Sequence, residues 1–545
     1  MTYRLAYCPA GYTIFTGAVM FDRKRLTGSE TQMTMAPSRA ANVPLVVLTV
    51  ELRLHEILHS FRGGLGDLMG HEFLAMPGIY VCYGYPRDYK THEPIDYLSI
   101  PGAKRLDDLA VDIYMPSVRR TVRIIEVRRN SSRLLLICPE AGMYNGRAEG
   151  DVLYASDHGI SLEQSAFFGR AAHLLLKQLK LKPEIVSVQE WRAGCNAIPG
   201  MRDDPYFHGT RYLFVNHTAR REALPTFDAG WFNGLAIDRR HYDSFVVNGR
   251  IDPDRGCIAC ADLVAGVSEE HAEVLRETHP GFADKIIGLL NGVDRASILS
   301  PRIAPYRDPT AAQLRDAHFG DKRELLEMIK AQTGVSWSVD DHILGAVRRL
   351  TGYKNQQPLL EPVIRQIVAS GSKILIGGVP HESDECCQGW VATFREWMRD
   401  PAIAPGFAYL PDYSEHIRLL AAQGSDTWLE CPLPRNEACG TSNFIAWANG
   451  NPVIATCGGG AREYGASIDP TTATGDTLFI EPYDSATLLA RIIAMRDWYQ
   501  DPTLWPKLRR NAFEKGRQTD MPYMVARYED AFRRLRQREE TPLAA

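Results

Sequence analysis

Two series of short apolar runs, separated by stretches with helical periodicity, set the strongest constraint on how this chain folds. The first opens at Pro44–Val50 (PLVVLTV), apolar almost throughout, as in a strand covered on both faces of a parallel sheet. It continues through Ile185–Val188, Tyr212–Val215, Leu263–Val267 and Ile286–Leu290. Ser165–Lys180 carries its apolar residues at helical spacing. Val122–Arg129 and Arg133–Cys138, around Asn130-Ser131-Ser132, read as a hairpin. Pro301, Pro305 and Pro309 and a charged helix over Lys322–Ala331 then break the rhythm. The second series runs through His342–Val347, Lys373–Gly377, Phe407–Leu410, Thr427–Cys431 and Pro452–Ala455. Amphipathic helices over Ser485–Asp497 and Tyr523–Arg536 close the chain.

Strands alternating with helices predict an α/β fold: two Rossmann-like α/β domains facing a central cleft. The expected division is an N-terminal extension over 1–43, a first domain over 44–310 and a linker with a connecting helix over 311–340. A second domain follows over 341–515, then a C-terminal helix and tail over 516–545, the helices packing back toward the first domain. Ligands in open α/β sheets bind beyond the carboxyl ends of the strands, so both sets of strand ends are expected to face the cleft.

Composition narrows the function class. The 62 Lys and Arg against 66 Asp and Glu leave a net charge of −4, which gives no footing for a nucleic-acid partner. No apolar run reaches the ~20 residues of a transmembrane helix. The first residues lack the basic start and cleavage site of a signal peptide, and the 11 cysteines read as reduced thiols, so a cytoplasmic protein is expected. Cys257 and Cys260 have metal-ligand spacing but fall in an apolar, helical stretch with no second spaced pair, so no metal site is expected. Gly458-Gly459-Gly460 is not followed by Lys-Ser/Thr and is no P-loop.

Five segments at strand ends carry chemistry. Gly63-Gly64-Leu65-Gly66-Asp67 opens a helix after the first strand, where free N–H groups favour an anion; equally, it is a tight strand–helix turn. Arg348-Arg349-Leu350-Thr351-Gly352-Tyr353-Lys354 places cations suited to a diphosphate at the end of the strand that opens the second domain, or forms a solvated basic loop. Glu437-Ala438-Cys439-Gly440-Thr441-Ser442-Asn443 sets a carboxylate beside backbone N–H groups and hydroxyls, which a sugar needs; Thr441 or Ser442 is also a natural N-cap. His217 ends the strand Tyr212–Val215, and Asn291-Gly292-Val293-Asp294 follows Ile286–Leu290 as an Asn-Gly turn.

In this order and spacing the segments resemble the GT-B glycosyltransferases, specifically bacterial glycogen/starch synthases and the related α-glucan phosphorylases, from about Leu45 to Leu535. RGGLGDLMG resembles the synthase glycine loop, VSVQEWRAG its Asp-Trp-His strand end, LFVNHTA the strand ending in a functional histidine, and GLLNGVD its Leu-Asn-Gly-Ile-Asp segment. RRLTGYK resembles the Ser-Arg-Leu-Thr…Lys motif, and RNEACGTSNFIAWANGNPVIATCGGGAREY the phosphorylase Glu-Ala-Ser-Gly-Thr-Ser stretch. The resemblance implies that Glu437 orients the sugar and opposes charge at its anomeric carbon. It implies that Arg349 and Lys354 hold the donor diphosphate and that His217 contacts the sugar or acceptor. Arg62, Gly63, Gly64, Asn291, Cys439, Gly440, Thr441 and Ser442 would complete the donor site.

Two departures refine this. Phosphorylases carry pyridoxal phosphate on a lysine two residues beyond the Gly-Thr-Ser-Asn/Gly block; here that place is Ile445, which cannot form the imine. The synthase loop carries a lysine where Phe61 stands, with Arg62 adjacent. The expectation is a retaining hexosyltransferase without resident cofactor or metal, moving a hexose, taken as glucose, from ADP- or UDP-glucose to an α-glucan or oligosaccharide. A phosphate-using, phosphorylase-like enzyme and a non-catalytic glucan-binding protein are the alternatives.

Overall fold

The computed structural model describes residues 41–54, 64–88, 93–116, 118–139, 158–219, 224–380, 384–411 and 414–537, together with two paired two-residue strands at Ala6–Tyr7 and Thr13–Ile14. The strands of the first domain are β1 (Ala41–Thr49), β2 (Ile79–Tyr83), β3 (Lys104–Tyr114), β4 (Arg119–Arg129), β5 (Ser132–Pro139), β6 (Leu181–Gln189), β7 (Arg211–Asn216), β8 (Leu263–Gly266) and β9 (Ile286–Gly288). Among the described residues they form one sheet in the order β9-β8-β7-β6-β1-β2-β5-β4-β3. All neighbours pair parallel except β3 with β4 and β4 with β5, which are antiparallel. The β4–β5 turn is the predicted hairpin, with Asn130 at positive φ. β2 and β3 lie where the sequence shows a mixed stretch.

The second sheet holds β10 (Ile343–Val347), β11 (Lys373–Gly377), β12 (Phe407–Leu410), β13 (Thr427–Glu430), β14 (Val453–Ala455) and β15 (Thr477–Phe479), all parallel, in the order β12-β11-β10-β13-β14-β15. This is the doubly wound dinucleotide-fold order, reversing between β10 and β13. β15 has three residues, too few to show a period. The order of the first sheet reverses between β1 and β6. Each reversal leaves a crevice beyond the carboxyl ends of the two strands, because their connections leave in opposite directions.

The helices that matter for the site are α1 (Gly64–Ala75), α2 (His158–Gln178), α3 (Pro253–Cys260), α4 (Glu269–Thr278), α5 (Ala311–Thr333), α6 (Glu385–Trp397), α7 (Glu415–Gly424), α8 (Ser442–Ala448), α9 (Gly459–Tyr464), α10 (Ser485–Tyr499), α11 (Trp505–Gln518) and α12 (Met521–Gln537). α2 contains the predicted helix from Ser165 but ends at Gln178 rather than Lys180, and it begins earlier, at His158. Cys257 and Cys260 lie on α3, both buried. Among the described residues no helix is long and apolar enough to cross a membrane.

The break in rhythm at 299–340 is filled by α5, which begins in a capping box at Thr310 and Gln313. It packs on α7 and α11. Its buried Lys322 contacts Asp426 at 2.6 Å, and His318 pairs with the same carboxylate at 2.9 Å. This helix, expected from the sequence as part of a linker and connecting helix over 311–340, is fastened to the second domain. The chain itself changes domain earlier. Val293 N–H donates to Thr519 O (2.9 Å) and Met521 N–H to Val293 O (3.0 Å), so outgoing and returning crossings are bonded side by side. By Ser300, whose N–H donates to Asn449 Oδ1 (2.7 Å), the chain is on the second domain.

The return crossing delivers α12 to the first domain, where it packs on α1 and ends with Arg536 on Glu184 of β6 at 2.7 Å. The buried face of α12 meets Glu72 of α1, a carboxyl 1% exposed beside the Tyr80 hydroxyl at 3.4 Å. Burial pushes this carboxyl up to about 8. The unfolded chain loses the proton above a pH of about 4.5, while the folded chain keeps it to about 8. Its contribution to stability is thus full below pH 4.5 and is lost as pH rises through 8. Glu72→Gln should unfold near the wild-type urea midpoint at pH 4.5 and at a higher midpoint at pH 9. Parallel pH curves for the two proteins would show the carboxyl to be solvated.

Candidate functional site

Both crevices open onto one cavity of about 550 Å³ between the domains. The first domain lines it with Glu51 after β1, Glu190–Arg192 after β6, His217–Ala219 after β7, and Asn291 beyond β9. The second domain adds Arg349 and Thr351–Tyr353 after β10, Asn436–Cys439 and Thr441 after β13, and Asp384, which N-caps α6. The wall is thus composite, and neither domain has a complete site alone.

On the second domain the strand period splits Arg348 from Arg349. Successive residues leaving a strand point to opposite faces. Arg348 turns into the core, donating to Leu429 O and lying 3.2 Å from Glu430, while Arg349 stands exposed at the cavity. Lys354 ion-pairs with Glu437, whose carboxylate belongs to the cavity wall. Burial opposes charge on Lys354, but Glu437, Tyr353 and Glu430 outweigh it and raise the ammonium above the usual lysine range. Glu430, at the end of β13, accepts from Ser442 Oγ at 2.8 Å and lies 3.7 Å from Lys354 Nζ.

The loop over 437–443 explains its own composition. A Cβ on Gly440 would sit 2.3 Å from Glu430 Oε1, so only glycine lets the loop pass. Thr441 stands at the N-cap of α8, but its hydroxyl makes no capping bond and faces the cavity wall. Ser442 is turned under the loop, accepting from Trp428 Nε1 at 3.1 Å and donating to Glu430. Cys439 is 8% exposed, and burial raises its thiol far above the usual range.

On the first domain Glu190 is held at φ 69, ψ 155, a region essentially restricted to glycine and costing on the order of 1–3 kcal/mol. Its N–H donates to Val215 O, and its carboxylate accepts from His217 N–H and Thr218 Oγ1, each at 2.9 Å. Burial raises the carboxyl despite these donors. His217 Nε2 bonds Gln189 Oε1 at 2.8 Å. Burial, with His271 alongside, pushes its imidazole down to about 3. Two polar atoms at the wall, Asn291 Oδ1 and Thr351 Oγ1, are buried without a hydrogen-bond partner. A cavity edged by unpaired polar groups is matched to a polar ligand.

Of the predicted residues, Gly64, His217, Asn291, Arg349, Glu437, Cys439 and Thr441 meet at the cavity. Lys354 reaches it through Glu437; Gly440 and Ser442 lie beneath the wall and support it. Arg62 and Gly63, with Phe61, lie outside the described residues. Ile445, 1% exposed, is packed in the core on α8 and is not part of the wall. Glu51, Asp384 and, underneath, Glu430 are the charged groups that motif reading passed over, while Glu190 and Arg192 enter it as part of the VSVQEWRAG strand end without a role; Glu51 and Glu430 are legible by their place at or just beyond strand ends. Among the described residues, no three His, Cys, Asp or Glu side chains group as metal ligands do.

The profile of the starch synthase catalytic domain matches residues 61–291. Glycogen synthase of Syntrophotalea carbinolica is 25% identical over 410 residues, covering 70% of this chain and 79% of that protein. Glycogen synthase of Thermotoga maritima is 24% identical over 472 residues, 83% and 91% of the two chains. Glycogen phosphorylase of Aquifex aeolicus is 25% identical over 505 residues, 75% and 72% of the two. The catalytic domain of starch synthase IV from Arabidopsis thaliana, bound to ADP and acarbose, superposes with a TM-score of 0.74 at 19% identity, covering 91% of this chain and 100% of that one. The chain thus has the GT-B fold and resembles the glycogen/starch synthase and phosphorylase group.

The half-buried His217 at the wall gives a direct check on the site. Its imidazole should stay neutral from pH 8 down to pH 5 in nitrogen NMR, because the folded value lies near 3. The stability this contributes is full above about 6.5, the unfolded value, and falls as pH drops toward 3. A His217 resonance titrating near pH 6.5 would mean that water reaches the ring.

Proposed function

We propose that the chain, a glycogen synthase-like glycosyltransferase, moves glucose with retention from a nucleotide sugar to an α-glucan. The observation that carries this reading is the Lys354–Glu437 ion pair beside Arg349, at the crevice where β10 and β13 diverge. A diphosphate leaving group needs fixed positive charge, which Arg349 supplies bidentately and Lys354 as a point charge. The sugar needs a carboxylate near its anomeric carbon, where positive charge grows in the transition state, and Glu437 is the wall carboxylate beside those cations. Arg and Lys take the part a divalent cation plays elsewhere, so the reading needs no metal. Thr441, Asn291 and backbone N–H groups of the 438–441 loop are placed to meet sugar hydroxyls. The structural neighbour's pairing of ADP with acarbose supports a nucleotide and a saccharide sharing one such cleft.

Pyridoxal phosphate does not fit this reading. Position 445 offers no amine, and its side chain is packed in the core. The phosphorylase relative keeps a phosphate-using enzyme as the rival. An absorbance band of bound pyridoxal in the pure protein would favour that rival.

The test is a thermal-shift panel with ADP-glucose, UDP-glucose, ADP, UDP and phosphate. A ligand at about a hundred times its dissociation constant adds ~2.7 kcal/mol of apparent stability. A selective shift with one nucleotide sugar names the donor; a response to phosphate alone sinks the reading. Lys354→Ala and Glu437→Ala should each lower turnover at least roughly tenfold, about 1.4 kcal/mol of barrier, with the fold retained. Wild-type turnover in either variant would remove that residue from the mechanism.

A further inference from the structure

Beneath the donor cations lies a second carboxylate that the mechanism above leaves idle. Glu430 is 3% exposed and is not part of the cavity wall. One of its oxygens is fixed: Oε2 accepts from Ser442 Oγ at 2.8 Å, and Ser442 is itself held by Trp428 Nε1 at 3.1 Å. The other is not. Oε1 makes no hydrogen bond, although Arg348 Nη1 stands 3.2 Å away and Lys354 Nζ 3.7 Å away. A charge-assisted N–H···O bond closes to about 2.7–2.9 Å, so Lys354 stands roughly 1 Å short of completing one. Its ammonium is turned instead to Glu437. The lysine is thus shared unequally between a wall carboxylate and a buried one whose bonding capacity is open.

We propose that Glu430 is a positioning residue of the donor site: the fixed counter-ion toward which Lys354 moves when a diphosphate draws it off Glu437. The inference rests on the reading of Arg349 and Lys354 as diphosphate ligands. Lysine suits such an exchange, with three donors on a flexible four-carbon stem. In its second position one N–H completes the bond to Glu430 Oε1 and the others face the diphosphate. Glu437 is then uncovered at the wall, free to take hydrogen bonds from the sugar. Without Glu430 the lysine has a single carboxylate partner and keeps it covered. Burial works against charge on Glu430, but Arg348, Lys354, Ser442 and the Asn443 N–H outweigh it and hold the carboxyl below its usual range. It is therefore an anion at working pH. The competing role for the same carboxylate is neutralising buried Arg348 and nothing more.

The experiment is Glu430→Gln in the full chain, with calorimetric affinities for ADP and UDP beside turnover on glycogen with ADP-glucose and UDP-glucose. The exchange predicts a split. Turnover falls at least about tenfold, while affinity for the diphosphate that wild type binds is kept or tightens, because a negative charge has left the site. Turnover within about twofold of wild type overturns the proposal. So does a fall of turnover and affinity by the same factor, the signature of a merely structural role. Ser442→Ala, which frees Oε2 but keeps the charge, should lower turnover roughly three- to fivefold at unchanged diphosphate affinity. It decides the matter by the same split if Glu430→Gln does not fold. Wild-type protein that binds neither ADP nor UDP overturns the donor-site reading itself, and the exchange with it.

Discussion

The paired crossing at Val293 and Thr519–Met521 is the constraint on which the rest of the molecule depends. Two backbone hydrogen bonds join the outgoing and returning chain. The approach is tight: a Cβ on Gly292 would stand 3.0 Å from Met524 Cβ and 3.2 Å from Thr519 O. Asn291 at the cavity wall immediately precedes this crossing, and Asp294 just after it donates its N–H to His71 of α1 at 3.2 Å. The cavity is therefore built around the crossing, with one strand-reversal crevice on either side of it.

Contacts away from the crossing hold the two halves in one arrangement. Glu463 of α9 accepts from the N–H of Glu269 at the start of α4 (2.9 Å), and Glu270 of α4 accepts from the N–H of Gly459 at the start of α9 (2.7 Å). Each domain thus supplies the anion for a helix start of the other, where unpaired N–H groups favour negative charge. Ser268 Oγ donates to Ala438 O at 2.6 Å, tying α4 to the 437–443 loop itself. A second set joins α1 and α7: Arg53 bridges Asp67 at 2.8 Å and Glu415, and Arg418 lies 3.3 Å from Asp67. These polar contacts add to an apolar cluster that runs without a break through both domains and the return crossing.

The sequence made the architecture legible because its strongest signal is local. β10 and β12 are continuous apolar runs, and β1 and β11 are apolar through their buried parts, as buried parallel strands must be. β15, three residues long, falls below any period, whereas β9 lies within the apolar run Ile286–Leu290. Pro301, Pro305 and Pro309 and the charged helix after them break the strand–helix rhythm and so read as a linker. Yet Lys322 and Asp321 are buried in partnership with Asp426 and Arg302, pairings made by residues far apart in sequence. The site shows the same division. Arg349, Lys354, Glu437 and Gly440 sit in motifs with characteristic neighbours. Glu51, Glu190 and Glu430 are single carboxylates at or just beyond strand ends, and only the sheet order reveals that these ends meet.

The energetic character of those carboxylates argues for what they are kept to do. A buried ion pair seldom stabilises a fold relative to apolar residues of the same shape, because desolvation offsets most of the attraction. The strain at Glu190 adds a cost of about 1–3 kcal/mol that no local bond requires. A chain selected for stability alone would place glycine at 190 and apolar side chains at 348, 354 and 430. Instead Glu51, Glu190, Arg348, Lys354 and Glu430 are gathered within one cavity and the layer directly beneath it, whereas other buried charges, such as Lys322 with Asp426, fasten helices elsewhere. Such a concentration is expected where fixed charge must already be aimed before a ligand arrives, since charge that must reorganise during reaction lowers the barrier less. Lys354, with two carboxylates within reach, follows the same logic: a single fixed pair is stable and inert, whereas a shared lysine can be moved by an incoming anion at smaller cost.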